Sequence, residues 1–234
     1  MKRPLALLAL ASGMTCAHGA DFSLGALSQD DLRGLARDLG AAMSYKGVTP
    51  GTALGVSGFD IGLEATDTRM EASSAFRRAG VGDRSHLVIP KLHVNKGLFG
   101  GLDVGAFIGG TSQINATVFG ADLRYAIVDD TLTSPALAAR VSGTRTMGTG
   151  DLRLATAALD LMVSKRFTLL TPYLGVGAVR VQSRANGTAL AEENSSRGRV
   201  FGGLNLNLVG ANLAIEAEKM GDNTSLSAKV GIRF

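Results

Sequence analysis

The sequence predicts an all-β chain: an up-and-down antiparallel transmembrane β-barrel of about ten strands, twelve or eight being the alternatives, preceded by a short amphipathic helix. Three observations carry the prediction. Mean hydropathy is positive, at +0.19, yet nothing after the first residues forms an apolar run long enough to span a bilayer as a helix. Segments of alternating apolar and polar residues recur through the chain, and the last of them ends on an aromatic residue, Phe234. A chain that is apolar on average without apolar runs spreads its apolar residues in alternation, which suits a wall with lipid on one side and a polar lumen on the other. The 31 glycines and 5 prolines fit strands that bend and pack closely.

The N-terminus reads as an export signal spanning residues 1–20. Lys2 and Arg3 make a positive start, Pro4 to Ala11 is apolar, and small residues lead to cleavage after Gly19 or Ala20. The apolar run is too short for a retained anchor, and Gly13-Met14-Thr15 is a poor approach to a lipidated Cys16. Cys16 is the only cysteine and leaves with the signal, so disulfides, thiolate metal sites and cysteine nucleophiles are excluded from the exported chain. Losing Lys2 and Arg3 takes the formal charge from +4 to +2, too small to argue for nucleic acid.

Residues 21–50 form a segment ahead of the barrel, with a helix expected over about 28–40. Ser28 and Asp31 have capping-box spacing and Gly40 suits the end; Leu32, Leu35, Ala36 and Leu39 make an apolar stripe. So short a helix must pack on something. The periplasmic rim of the barrel is the first expectation, and a plug inside the lumen the second.

Residues 51–234 carry the strands, about ten from Ala53 onward. The run Thr117, Phe119, Ala121, Leu123, Tyr125, Ile127 alternates with Val118, Gly120, Asp122, Arg124 and Ala126. Leu102, Val104, Ala106 and Ile108 oppose Asp103, Gly105 and Phe107, and Tyr173, Gly175, Gly177, Val179 and Val181 oppose Leu174, Ala178, Arg180 and Gln182. Ala41–Tyr45 would make an odd strand count and is read as a lead-in, since both ends of such a barrel face the periplasm.

Leu226, Ala228, Val230, Ile232 and Phe234 alternate with polar or small residues to the end. A terminal strand of this kind, with Val230, Ile232 and Phe234 as its signature, resembles the assembly signal of bacterial outer-membrane barrels. The chain as a whole resembles the small outer-membrane β-barrel proteins in pattern. That resemblance implies a Gram-negative outer membrane, with membrane lipid, lipopolysaccharide and the assembly machinery as partners. It implies no functional residue beyond the terminal signature.

Short connectors near Asn95–Leu102, Asp129–Pro135, Lys165–Leu169 and Val209–Asn212 are assigned to the periplasmic side. Longer ones, Thr66–Arg84 and Arg184–Arg197, with Gly143–Asp151, go to the outer side. Phe99, Tyr125, Phe167, Tyr173 and Phe234 then gather near the short turns as an interfacial belt. Arg77, Arg78, Arg84, Arg145, Arg184, Arg197 and Arg199 gather at the other end, beside lipopolysaccharide phosphates.

Alternation places Asp60, Glu64, Lys91, Asp103, Asp122, Arg124, Arg140, Asp160, Arg180, Glu216, Glu218, Lys229 and Arg233 in the lumen. In so narrow a bore these charges should pair across the interior, giving a structural barrel; the alternative is a narrow passive channel for ions or small solutes. No motif calls for a cofactor or a metal, and no enzyme is expected. Ser85-His86 with Asp67 or Glu71 near the outer rim would be the site of a lipid hydrolase, although adjacent Ser and His on a strand point apart. The polar stretch Arg184–Arg197 would serve a surface adhesin.

Overall fold

A computed structural model describes residues 22–234; the expected export signal, residues 1–20, lies outside the described residues. Ten strands close into one antiparallel ring in sequence order: β1 Phe59–Arg69, β2 His86–Gly97, β3 Leu102–Thr111, β4 Ala116–Val128, β5 Ala136–Met147, β6 Leu152–Ser164, β7 Leu170–Ala185, β8 Glu193–Leu208, β9 Ala211–Met220 and β10 Asn223–Arg233. The seam pairs Asp60 with Arg233 through to Thr68 with Ser225. At its end the Phe59 and Phe234 backbones exchange hydrogen bonds of 2.7 and 3.0 Å. Closure leaves no exposed sheet edge, which a spanning sheet requires because lipid cannot satisfy backbone groups.

Connectors 98–101, 129–135, 165–169 and 209–210 lie at the end where the chain terminates; 70–85, 112–115, 148–151, 186–192 and 221–222 lie at the other. A short helix, α2 Ser73–Arg78, sits in connector 70–85. The strands bordering the long connectors run further than the sequence suggests. β7 continues to Ala185 and β8 begins at Glu193, so half of the polar stretch Arg184–Arg197 is ladder.

The extra length is explained by what the strands enclose. Helix α1, Gln29–Met43, starts at the expected capping box: Asp31 N donates to Ser28 Oγ at 3.2 Å and Ser28 N to Asp31 Oδ2 at 3.1 Å. It continues past Gly40, because Gly40 is a point of close approach and not a stop. A Cβ there would lie 2.7 and 2.8 Å from the Val181 methyls. Ala41–Tyr45 is therefore the helix end and its exit, not a strand.

α1 is inside the barrel at the mouth opposite Phe234, not on the periplasmic rim. It packs against α2 and against β1, β5, β6, β7, β8 and β10. Gln29 Nε2 donates to Ala191 O at 3.1 Å and Ala191 N returns a bond to Gln29 Oε1 at 3.0 Å. Asp38 accepts bonds from Glu71 N, Ala72 N and Asn223 Nδ2, each of 2.8 Å. From Ser44 the chain descends through the lumen. Gly51 N meets Ser164 Oγ at 3.1 Å, and Leu54 N meets Asp103 Oδ1 at 3.1 Å near the far end. A turn closed by Gly58 N and Gly55 O, 2.9 Å apart, then feeds β1.

Candidate functional site

Among the described residues, buried polar side chains converge in the lumen, and its two halves differ. In the half that holds α1, the stripe Leu32, Leu35, Leu39 and Met43 meets Leu87 and Ile89 of β2, Leu152 and Leu154 of β6, and Val179 and Val181 of β7 in one continuous apolar cluster. This is packing of the kind found in a water-soluble core, enclosed by a ring of strands.

The other half is ionic. Arg140 Nε donates to Asp160 Oδ2 at 2.9 Å. Arg199 grips the same carboxylate with Nε at 2.7 Å and Nη2 at 2.6 Å. Arg199 Nη1 also donates to the Tyr45 carbonyl at 2.7 Å and to Glu218 Oε2 at 3.3 Å. Lys46, fully buried, sits 3.2 Å from Glu218 and donates to Ala41 O at 2.6 Å. Two arginines thus converge on one carboxylate. Arg199 has further acceptors in the Tyr45 carbonyl and Glu218, whereas Arg140 lies over the Tyr45 and Phe201 rings. Charge-assisted bonds of this kind offset part of the cost of removing the charges from water.

Next along the wall, Glu64 receives Lys91 Nζ at 2.7 Å and has His93 Nε2 at 2.7 Å. His93 in turn stacks on Phe107, with centroids 5.1 Å apart. Tyr45 hydroxyl donates to Asp122 at 2.5 Å, and the Arg140 guanidinium lies 5.6 Å from the Tyr45 ring. Towards the short turns Lys229 and Arg233 flank Asp60 at 3.1 and 3.6 Å. Arg124 holds Asp103 at 2.5 Å and donates to Pro50 O at 2.9 Å. Tyr173 donates to Glu216 at 3.0 Å.

The structure thus gathers Asp60, Glu64, Lys91, Asp103, Asp122, Arg124, Arg140, Asp160, Glu216, Glu218, Lys229 and Arg233 around the descending segment, as the alternation predicts. Three residues fall elsewhere. Arg180 is exposed on the outward face of β7. Tyr173, expected in the interfacial belt, is 3% exposed and faces the lumen. Arg199, expected at the outer rim, is buried in the ionic half. The β7 reading inverts because its inward residues Val179 and Val181 pack on α1 and are as apolar as a lipid-facing row. The lumenal roles of Tyr45 and Lys46 are not legible in the sequence, since the stretch after the helix has no periodicity.

Outside the barrel, Phe99, Tyr125, Phe167 and Phe234 stand 79%, 50%, 59% and 73% exposed at the short-turn end. Phe59 joins the belt, stacked on Phe234 at 5.9 Å. Val230 and Ile232 also face out, with Phe234 beside them. His86 Nδ1 lies 3.0 Å from Asp67 on the outer surface, and among the described residues Ser85 Oγ makes no bond to His86.

A closed ring with an apolar lateral belt, an aromatic girdle and a polar interior defines an outer-membrane type β-barrel. No family model matches the chain, and no curated protein matches it. Solved structures with a similar fold include the Neisserial surface protein A, at 12% identity over 75% of this chain and 97% of that one, with a TM-score of 0.34. They also include the KdgM porin, at 9% identity over 74% and 99%, TM-score 0.37. A third is the translocator domain of the autotransporter NalP from Neisseria meningitidis, at 13% identity over 88% and 96%, TM-score 0.41.

Proposed function

We propose that this protein is an integral barrel of a Gram-negative outer membrane, exported with a cleaved leader over residues 1–20, and that it is a closed structural barrel and not a passive channel. One observation supports this reading above the rest. The space through which solute would pass is taken up by α1 and the segment below it, with Tyr45 and Arg140 each 1% exposed and Lys46 at 0%. Charges that would filter ions in an open pore are spent on one another and on that segment. Planar-bilayer recording tests this: folded protein should give no discrete conductance steps, and steady ion-selective steps would overturn it.

The outward face supports a lipid partner. Above Val141 and Gly143 on β5, Ala155 and Ala157 on β6, and Val176 and Ala178 on β7, the next outward positions are Arg145, Arg153 and Arg180. Arg153 stands directly across the ladder from Arg184, a like-charge pairing that is unfavourable without a counter-ion. Arg184 has Glu192 at 2.6 Å, whereas Arg145, Arg153 and Arg180 have no hydrogen bond or ion pair among the described residues. They sit where the phosphates of lipopolysaccharide would lie. Replacing all three by Ala should lower the phosphorylated glycolipid retained per folded barrel without loss of heat modifiability; unchanged retention would remove this contact. Val230, Ile232 and Phe234 are the surface offered to the assembly machinery, and removing Phe234 should slow insertion.

A further inference from the structure

The N-terminal segment crosses the lumen in one direction only, and that direction has a topological consequence. The stretch from Phe22 begins at the mouth bearing connectors 70–85, 186–192 and 221–222, and it reaches β1 at the opposite mouth. We propose that the barrel presents the head of its own chain at the cell surface: the region around Phe22–Ala26 is delivered through the ring to the outer face and held there, so that the N-terminus left by leader cleavage lies outside the cell. This rests on the reading that the short-turn end faces the periplasm.

Several independent contacts fix the direction. Ser23 N donates to Ala79 O at 2.9 Å, just beyond α2. The Phe22 and Phe76 rings lie 6.4 Å apart, and Phe76 is fully buried beneath them. Arg78 forms an ion pair with Asp31. Gln29 exchanges bonds with Ala191, and Arg33 reaches Glu193 at 3.3 Å. Asp38 caps two backbone amides of one outer connector and the Asn223 side chain beside another. A chain head held in the periplasm would have to give up all of these. It would also have to withdraw Lys46 from Glu218 and leave Arg199 without the Tyr45 carbonyl, inside a low-dielectric bore where unpaired charge is costly. Fixed contacts at both mouths make the crossing part of the folded state and not a passing occupant. An exported chain of this kind must be threaded through, or enclosed by, the strands before the seam between β1 and β10 closes.

Impermeant-thiol labelling tests the proposal, because the sequence has a single cysteine, Cys16. In a Cys16→Ser background, three single-cysteine variants are compared on intact and permeabilised cells: Gly25→Cys, Ala189→Cys in connector 186–192, and Leu132→Cys in connector 129–135. Gly25 is exposed and a Cβ there meets nothing within 4 Å; Leu132 is 100% exposed. The proposal expects G25C and A189C to react as fully on intact as on permeabilised cells, and L132C to react only after permeabilisation. If A189C reacts on intact cells while G25C waits for permeabilisation with L132C, the chain head is periplasmic and the proposal fails, leaving the barrel's orientation intact. If L132C reacts on intact cells and A189C does not, the orientation itself is wrong and both readings fall.

Discussion

Above Tyr45 the lumen is filled by leucine, valine and methionine packed around a helix; below it the same ring encloses paired acids and bases around an extended segment. The contrast follows from what each half has to cover. A helix brings its own satisfied backbone and presents an apolar stripe, so the strands facing it must be apolar as well. The stretch from Ser44 to Leu54 brings unsatisfied backbone groups. The strands there supply polar partners, as when Arg199 meets Tyr45 O, Arg124 meets Pro50 O and Asp103 meets Leu54 N. One wall thus solves two packing problems, and the register of ion pairs below fixes how far the helix above can enter.

If that division is right, the halves should fail differently. The largest loss is expected from Asp160→Ala, which strands Arg140 and Arg199 together. Leaving buried charge unpaired costs about 3–5 kcal/mol, read as a lower denaturant midpoint for protein in lipid vesicles. A loss no greater than that of an exposed substitution would mean the ionic half is hydrated. In the apolar half, Leu39→Ala removes a side chain 1% exposed and should cost about 2–5 kcal/mol as a cavity. Its effect should not change with salt. A salt-sensitive result would break the distinction between the halves. Lys46→Met should do less, about 1–3 kcal/mol, because Glu218 keeps Arg199 at 3.3 Å.

The smallest effect is expected at the outer mouth. The Asp31 carboxyl is pulled down from 3.8 to about 2, chiefly by the hydrogen bond from Arg78 and further by Ser28. A depressed acid contributes stability that is complete above its unfolded value and is lost as pH falls through the folded one. The clasp should therefore be at full strength at neutral pH and weaken only between 3.8 and about 2. An NMR titration of the Asp31 carboxyl should show the low midpoint, and Arg78→Ala should return it towards 3.8. A midpoint unmoved by that change would assign the shift to another cause.

The same contrast explains what the sequence reveals. In the ionic half, Asp103, Arg124, Asp160, Glu216 and Lys229 oppose apolar lipid-facing neighbours, so period-2 alternation reads their side of the wall directly. On β7 the inward residues Val179 and Val181 pack on α1 while Arg180, Gln182 and Arg184 point outward, so the alternation has the opposite sense there and assigns Tyr173 and Arg180 to the wrong sides. Arg199 misled for a related reason: its position after a polar stretch suggests a rim, whereas β8 starts at Glu193 and carries it deep inside. The helix was legible as a helix, since Ser28, Asp31 and the leucine stripe are local signals. Its place was not, because nothing in a stripe says which surface covers it. Gly40 shows how little separates the readings: a helix stop by local rules, a contact with Val181 in the fold.

Disulfide trapping between α1 and the wall tests the closed lumen most directly. A Cβ on Gly40 would lie 3.3 Å from Val181 Cβ, and protein produced from Asp21 onward has no thiol of its own. The pair Gly40→Cys and Val181→Cys should oxidise to an intramolecular bridge within the folded, heat-modifiable barrel and reopen on reduction. If both thiols stay free and reactive while the barrel remains folded, the helix is not where this account puts it and the lumen is not closed by the chain.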